Sequence, residues 1–177
     1  MAIQIGAKPD SGFDDPIGML QDCHRRIERF LNIIWIVSDH AAGRALTDEE
    51  TSAVQAALHY FRTGGQRHTA DEEESLFPRL REVWGCEASE QLGGLESDHL
   101  QVSSLHAEVE ALYTKWIGAG LLNLEDEQRL LCATTQLKSL YEGHIQLEEQ
   151  SVFPRAVRTL DRQAIECIGR EFRARRE

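Results

Sequence analysis

The sequence predicts an all-α fold, an up-down-up-down four-helix bundle with a short fifth helix at its C-terminal end. Apolar residues recur at three- and four-residue spacings along four long segments, which is the pattern of helices with one buried face. Capping residues stand at the starts of these segments, and only four prolines interrupt the 177 residues. Four long helices joined by short loops pack most simply as antiparallel neighbours, and this arrangement is the bundle.

The first two helices are predicted from the signals at their N-terminal ends. Asp15-Pro16 combines a capping carboxylate with proline at the first helical position, and this helix should end near Gly43. The segment Thr47–Glu50 has the pattern of a capping box, so a second helix begins there. That helix should extend to about Leu76, because Pro78 ends or kinks it.

The second half of the chain is predicted in the same way. Residues 85–94 contain three glycines and are expected to form a connection. A third helix should extend from about Leu95 to Ile117, and Asn123 should cap a fourth helix that reaches about Val152. Asp161 is expected to cap the short fifth helix.

Charge and composition exclude some functions and favour one cellular setting. A formal net charge of −11 argues against a nucleic-acid partner, because phosphate binding requires a basic surface. No apolar run is long enough to span a bilayer, so no membrane partner is expected. The four cysteines form no CxxC motif and follow no secretory signal, which favours reduced thiols in the cytoplasm. Residues 1–14 are predicted to be an N-terminal arm, and residues 15–177 a single domain.

One internal repeat carries polar residues that a bundle would bury. The segment 68–79, HTADEEESLFPR, recurs 76 residues later as HIQLEEQSVFPR. His24 and His99 repeat at a spacing of 75, each four residues after a leucine. The bundle is therefore predicted to consist of two copies of one helical hairpin. Each copy has a histidine on its first helix and His-x-x-x-Glu on its second.

The repeated polar residues indicate a metal site. Residues i and i+4 lie on one helix face, so each His-x-x-x-Glu pair directs an imidazole and a carboxylate to one point. Counting from the loops places the two single histidines at nearly the same height as these pairs. Burying such groups without a cation is costly, which favours metal ligands over ordinary core histidines. The predicted ligands are His24, His68, Glu72, His99, His144 and Glu148.

Four histidines and two glutamates suit two metal ions better than one. Each ion would take two imidazoles, and both carboxylates could bridge the ions. Mixed nitrogen and oxygen ligation with open positions favours two iron ions (Fe²⁺/Fe³⁺) with a bridging oxo or hydroxo group. Manganese is less favoured, and zinc more often takes four ligands in a tetrahedron.

This pattern resembles the hemerythrin-like, or HHE cation-binding, family over about residues 16–155. The resemblance implies that the six residues are the ligands, with Glu72 and Glu148 as bridges. Oxygen-carrying hemerythrins have a fifth histidine where this chain has Ser103, and their last carboxylate follows its histidine by five residues. The set is closer to the four-His, two-Glu di-iron proteins of iron–sulfur cluster repair and nitric-oxide stress. Those proteins carry an additional cysteine-bearing domain that this sequence does not contain.

Several other residues near the predicted ligands have a predicted role. His106 lies two turns after His99 and is interpreted as a boundary residue, with a supporting or ligating role as the alternative. His59 is expected to face solvent. Glu73 and Glu149 are expected on a solvated face, with hydrogen bonding to ligand histidines as the alternative. Cys23 is predicted to be a small core residue.

The resemblance leaves three functions open. The first is binding of dioxygen or nitric oxide at iron, for sensing or stress response. The second is a di-iron enzyme or an iron–sulfur cluster repair factor, and the third is iron storage. Binding is favoured over catalysis, because the nitrogen-rich donor set favours ligand binding over oxidation chemistry. A signalling domain would have favoured sensing and a cysteine motif would have favoured repair, and the sequence shows neither.

Overall fold

A computed structural model describes residues 10–177, and within that range the chain contains helices and no strand. The all-α class is therefore confirmed. We label the five helices α1 to α5 in chain order: α1 is Pro16–His40, α2 spans residues 48–84, α3 is Cys86–Ala119, α4 spans residues 124–159, and α5 is Arg162–Ala174. Most of the predicted N-terminal arm, residues 1–9, lies outside the described range.

Four of the five predicted helix starts are confirmed by side-chain caps. The Asp15 carboxylate accepts from the Gly18 N–H at 3.0 Å. Thr47 and Glu50 form both bonds of the capping box, at 3.1 and 2.9 Å. The same role is filled by Asn123 at the start of α4 and by Asp161 at the start of α5. Each cap satisfies a backbone donor that the first helical turn leaves free.

Two of the four long helices are interrupted by π-helical turns. In α2, the α-helical segments Asp48–Tyr60, Gln66–Ala70 and Phe77–Trp84 are separated by the π-helical segments Phe61–Gly65 and Asp71–Leu76. In α4, Leu124–Leu147 and Phe153–Thr159 are separated by the π-helical segment Glu148–Val152. Such turns are rare and concentrate at functional sites.

The predicted ends of the second helix at about Leu76 and of the fourth helix at about Val152 are wrong. Both helices continue, to Trp84 and Thr159, and in each the proline follows a π-helical turn. Proline lacks an N–H, and its ring clashes with the carbonyl four residues earlier. The wider π turn changes the carbonyl pairing just before the ring, and both helices continue past their proline.

The predicted connection at residues 85–94 is also wrong. A single residue, Gly85 with φ +59°, joins α2 to α3, and α3 begins directly after it. Ala88 and Leu92 are fully buried and pack in the same cluster as Trp84. This burial outweighs the poor helix propensity of the two glycines that follow Leu92.

The core consists of two apolar clusters separated by a polar layer. The first cluster lies toward the α1–α2 loop and includes Ile27, Phe61, Val102 and Ile145. The second lies toward the α2–α3 junction and includes Leu20, Leu76, Leu95 and Val152, together with Phe172 of α5. On each of the four long helices, the predicted ligands fall between a residue of the first cluster and one of the second. No helix among residues 10–177 has the length and apolar character needed to cross a bilayer.

Candidate metal centre

The six predicted ligands come from all four long helices and are buried. His24 lies on α1, and His99 lies on α3. The two His-x-x-x-Glu pairs lie on α2 and α4, where each glutamate belongs to a π-helical segment. The exposed fraction is 0% for both glutamates and 9% or less for each of these four histidines. The structure thus brings all six side chains into the polar layer, as the repeat predicts.

The donor atoms of the six residues form two groups. His24, His68, Glu72 and Glu148 each place one nitrogen or oxygen within 4.8 Å of the others. Glu72, His99 and His144 form a second group under the same limit. Glu72 belongs to both groups, so they lie side by side.

Each glutamate contacts one histidine from each group. The Glu148 Oε2 atom lies 3.1 Å from His24 Nε2 and 3.3 Å from His144 Nε2. Glu72 places Oε1 3.4 Å from His68 Nε2 and Oε2 3.3 Å from His99 Nε2. Both carboxylates therefore lie between the two sets of imidazoles.

The cluster contains buried polar atoms that make no hydrogen bond. Among the described residues, eight buried side-chain nitrogen and oxygen atoms have no hydrogen-bond partner, and all eight belong to these six residues. They include all four carboxylate oxygens of Glu72 and Glu148. Buried polar atoms are otherwise almost always paired, since each unpaired one costs a large fraction of its hydration energy. The Nε2 atom of His68 faces Glu72, so a cation bound in the cluster removes that cost for the seven atoms other than His68 Nδ1.

The charges within the cluster oppose one another. Burial, together with the negative charge of Glu148, raises the pKa of Glu72 well above its usual value. Burial acts on Glu148 in the same direction, but the imidazoles of His144 and His24 outweigh it and lower the pKa of Glu148. Burial and the neighbouring imidazoles lower the pKa of His68. Two carboxylates this close resist ionising together unless a positive charge lies between them.

Three of the four imidazoles have a carboxylate near Nδ1, on the side of the ring away from the cluster. The Nδ1–H groups of His24 and His99 donate to Glu149 at 2.9 Å and to Glu73 at 2.7 Å. The alternative in which Glu73 and Glu149 hydrogen-bond to histidines of the predicted site is thus confirmed, although both carboxylates are partly exposed. Such bonds fix the ring orientation and direct Nε2 toward the cluster.

The third supporting carboxylate was not predicted from the sequence. Asp98 lies 3.4 Å from His144 Nδ1. In the first half of the repeat the corresponding position is Cys23, which is buried, as predicted for a core residue. Accordingly, His68 Nδ1 is buried without a partner. Comparing the residues that precede His24 and His99 would have revealed this difference between the halves.

A cavity of about 310 Å³ borders the cluster between α2 and α3. Its lining includes His99, Phe61, Ser103, His106 and Tyr141. Nε2 of His106 lies 3.1 Å from the Tyr141 hydroxyl, and the His106 ring packs on Phe61. His106 is partly buried and belongs to neither donor group, which agrees with its interpretation as a boundary residue. His59, as predicted, is exposed.

An all-helical chain with buried histidines and glutamates able to hold a metal ion defines a cation-binding helical protein. The chain belongs to the hemerythrin family: the sequence model of the hemerythrin HHE cation binding domain matches residues 15–156. A protein of Haemophilus influenzae, described as an uncharacterized protein, is 27% identical over 170 residues. The match covers 93% of this chain and 92% of that protein.

Proposed function

We propose that the chain is a non-haem di-iron protein of the hemerythrin type. It binds dioxygen or nitric oxide at a carboxylate-bridged iron pair, for sensing or for a stress response. The observation that carries this proposal is the set of eight partnerless buried atoms on six converging side chains. Their number and chemistry match two cations better than a network of hydrogen bonds.

The two donor groups support a specific distribution of ligands. One ion would be held by His24 and His68, and the other by His99 and His144. Glu72 and Glu148 would bridge the ions, because each lies between one histidine of the first group and one of the second. Neutral imidazoles and ionised carboxylates then serve as ligands, which couples binding to proton release.

The donor set supports iron. Four imidazoles and two carboxylates leave positions open on both ions, and mixed nitrogen and oxygen ligation suits iron. Manganese and zinc fit less well, zinc because its sites are usually tetrahedral. Bound iron would supply a redox-active centre with room for a small ligand.

The cavity beside His99 supports access of a small ligand to the centre. Its 310 Å³ is several times the roughly 30 Å³ that one water molecule occupies in the liquid. That excess favours a second candidate function, a di-iron enzyme acting on a small organic substrate. Cluster repair and iron storage remain alternatives without a specific structural observation.

The remaining predictions extend this proposal. We infer an up-down-up-down course for the bundle, supported by the one-residue junction between α2 and α3 and by the packing of α1 on α2 and α4. Residues 15–177 are proposed as one domain, since Ile168 and Phe172 of α5 complete the second apolar cluster. We propose a cytoplasmic location and no nucleic-acid or membrane partner, supported by the acidic composition and four unpaired cysteines.

Iron loading tests the proposal. After anaerobic loading with iron(II) and desalting, elemental analysis should give two ions per chain. Glu72→Ala and Glu148→Ala should each lose the bridged pair, whereas His59→Ala should retain it because that ring is exposed. One ion or none in the wild-type chain would contradict the proposal. Optical spectra of the reduced protein before and after nitric oxide or air then test ligand binding.

Removal of the metal gives a second test. A ligand that binds only the folded state at a thousandfold excess over its Kd adds about 4 kcal/mol of stability. For a chain of this size that corresponds to a rise of roughly 10 °C in melting temperature. Chelation should reverse the rise in the wild-type protein and cause no change in Glu72→Ala. Equal melting temperatures with and without iron would mean that the cluster is not a strong site.

A further inference from the structure

Another buried carboxylate, that of Asp71, lies next to the cluster but is not part of it. Asp71 is fully buried and directly precedes Glu72 in the π-helical segment Asp71–Leu76. Two guanidinium groups at the end of α5 hold it. Arg175 Nη1 donates to Asp71 Oδ1 at 3.0 Å, and Arg176 donates to Oδ2 at 2.6 Å and to Oδ1 at 3.3 Å. The carboxylate is therefore fixed from two sides.

Arg175 also contacts two other side chains of the π-helical segment. Arg175 Nη2 donates to the buried Ser75 hydroxyl at 2.8 Å, and its Nε donates to Glu74 at 3.1 Å. Thus the end of α5 is bonded to three side chains of the segment that carries Glu72. The guanidinium fork can satisfy several acceptors at once with little loss of freedom per bond.

The second half of the repeat has no such contacts. Asp71 corresponds to Leu147, whose side chain is 38% exposed, and no sixth helix among the described residues covers the π-helical segment of α4. Ser151, the counterpart of Ser75, bonds instead to Gln91 at 3.0 Å. Glu148 therefore has its position set by α4 and its imidazole neighbours, whereas Glu72 also depends on α5.

We propose that Arg175 and Arg176 are positioning residues for Glu72, acting through Asp71, and that the end of α5 thereby controls how firmly the metal pair is held. This inference depends on the proposed function, because Glu72 must be a bridging ligand. π-helical turns are rare and frequent at functional sites, and this one is bonded to the end of α5 through Asp71, Glu74 and Ser75. Anchoring Asp71 fixes the orientation of the turn, and with it the direction of the adjacent Glu72 side chain. Removal of residues that orient ligands typically weakens metal binding 10- to 100-fold.

The test compares variants that loosen α5 in two ways. Arg175→Gln combined with Arg176→Gln removes the contacts to Asp71. Glu171→Gln is the matched control, because it removes the negative charge and one of the two acceptors that join α5 to Arg79 of α2 but leaves the contacts to Asp71 in place. Each protein is loaded with iron(II), and the rate of iron release to an excess of chelator is measured. The melting temperature of each metal-free protein and the absorption spectrum of each cobalt(II)-loaded protein are recorded.

The double variant should release iron about tenfold faster than the wild type and shift the cobalt spectrum. Glu171→Gln should change neither, even where it lowers the melting temperature of the metal-free protein. Asp71→Asn should reproduce the faster release, and adding it to the double variant should accelerate release no further. Equal release from the double variant and Glu171→Gln would overturn the inference while leaving the proposed function intact. A wild-type chain that binds no pair of metal ions would overturn both the inference and the proposed function.

Discussion

Glu73 Oε1 lies 2.7 Å from His99 Nδ1, while the opposite nitrogen of that ring faces Glu72. The neighbouring glutamates of α2 therefore act on the two sides of one imidazole. Glu149 stands in the same relation to His24, since 2.9 Å separates its carboxylate from Nδ1 of that ring. The run of glutamates after each histidine of the repeat thus supplies both a candidate ligand and a group that orients a ring on another helix.

Glu73→Ala should weaken metal binding without abolishing it. The ring of His99 would lose the acceptor that fixes its orientation and increases its basicity, and this loss typically costs at least about tenfold in affinity. Titration of the metal-free protein with iron(II) or cobalt(II) measures the change. Glu82→Ala, an exposed position on the same helix, is the control. An unchanged affinity in Glu73→Ala would show that the bond to His99 has no role in binding.

The candidate site was predictable because its pattern is local and repeated. A four-residue spacing alone places His68 on one helix face with Glu72, and His144 on one face with Glu148. The bonds from Arg175 and Arg176 to Asp71 were not predictable, since the two arginines lie 104 and 105 residues away and no periodicity connects them to it. Pairings over such distances depend on how α5 packs.

Glycine and proline positions led to wrong helix ends where tertiary packing was stronger than local preference. The glycines of residues 85–94 favour a loop, but Ala88 and Leu92 bury the first turns of α3. Pro78 normally ends a helix, and only the π-helical turn before it, which no local pattern indicated, allows α2 to continue. Helix existence was therefore predicted well, and helix ends less well.

Gly169→Ala should destabilise the protein. A Cβ atom at this position would lie 1.9 Å from the backbone carbonyl oxygen of Phe13, and neither backbone can move without disturbing the packing of α5. Overpacking of this kind typically costs about 1–3 kcal/mol. Urea unfolding measures the loss. Gly93→Ala is the matched control: its Cβ meets open space within α3, so it should stabilise by about 0.5–1 kcal/mol. Destabilisation by both variants would mean that the close approach at Phe13 is not the cause.

His106 should make the stability of the metal-free protein depend on pH. Burial lowers the pKa of His106 from 6.5 to about 4. Between these values the unfolded chain binds a proton that the folded protein does not, so stability is complete above about pH 6.5 and decreases as the pH falls toward about 4. This group contributes at most about 1.4 kcal/mol per pH unit.

His106→Gln should reduce that slope, because glutamine can bond to Tyr141 but does not titrate in this range. Urea unfolding of the metal-free wild type and variant at several pH values gives the difference between their slopes, from which the contribution of the other histidines cancels. His59→Gln makes the same substitution at an exposed ring and is measured as the control. Parallel curves for the wild type and His106→Gln would contradict the assignment.

Ser103→Trp should slow the access of small ligands to the metal centre. Ser103 is exposed at the cavity that borders His99 and lies four residues after it, so an indole there would fill space between α2 and α3 beside that ring. The rate of nitric oxide binding to the reduced, iron-loaded protein should fall in stopped-flow measurements, and the metal content of each loaded variant is measured beside it. Ser139→Trp places the same ring at an exposed position in the groove between α3 and α4 and should leave the rate unchanged. Equal rates in the two variants would mean that ligands reach the centre by another path, and a loss of metal in Ser103→Trp alone would mean that the cavity helps to hold the site together.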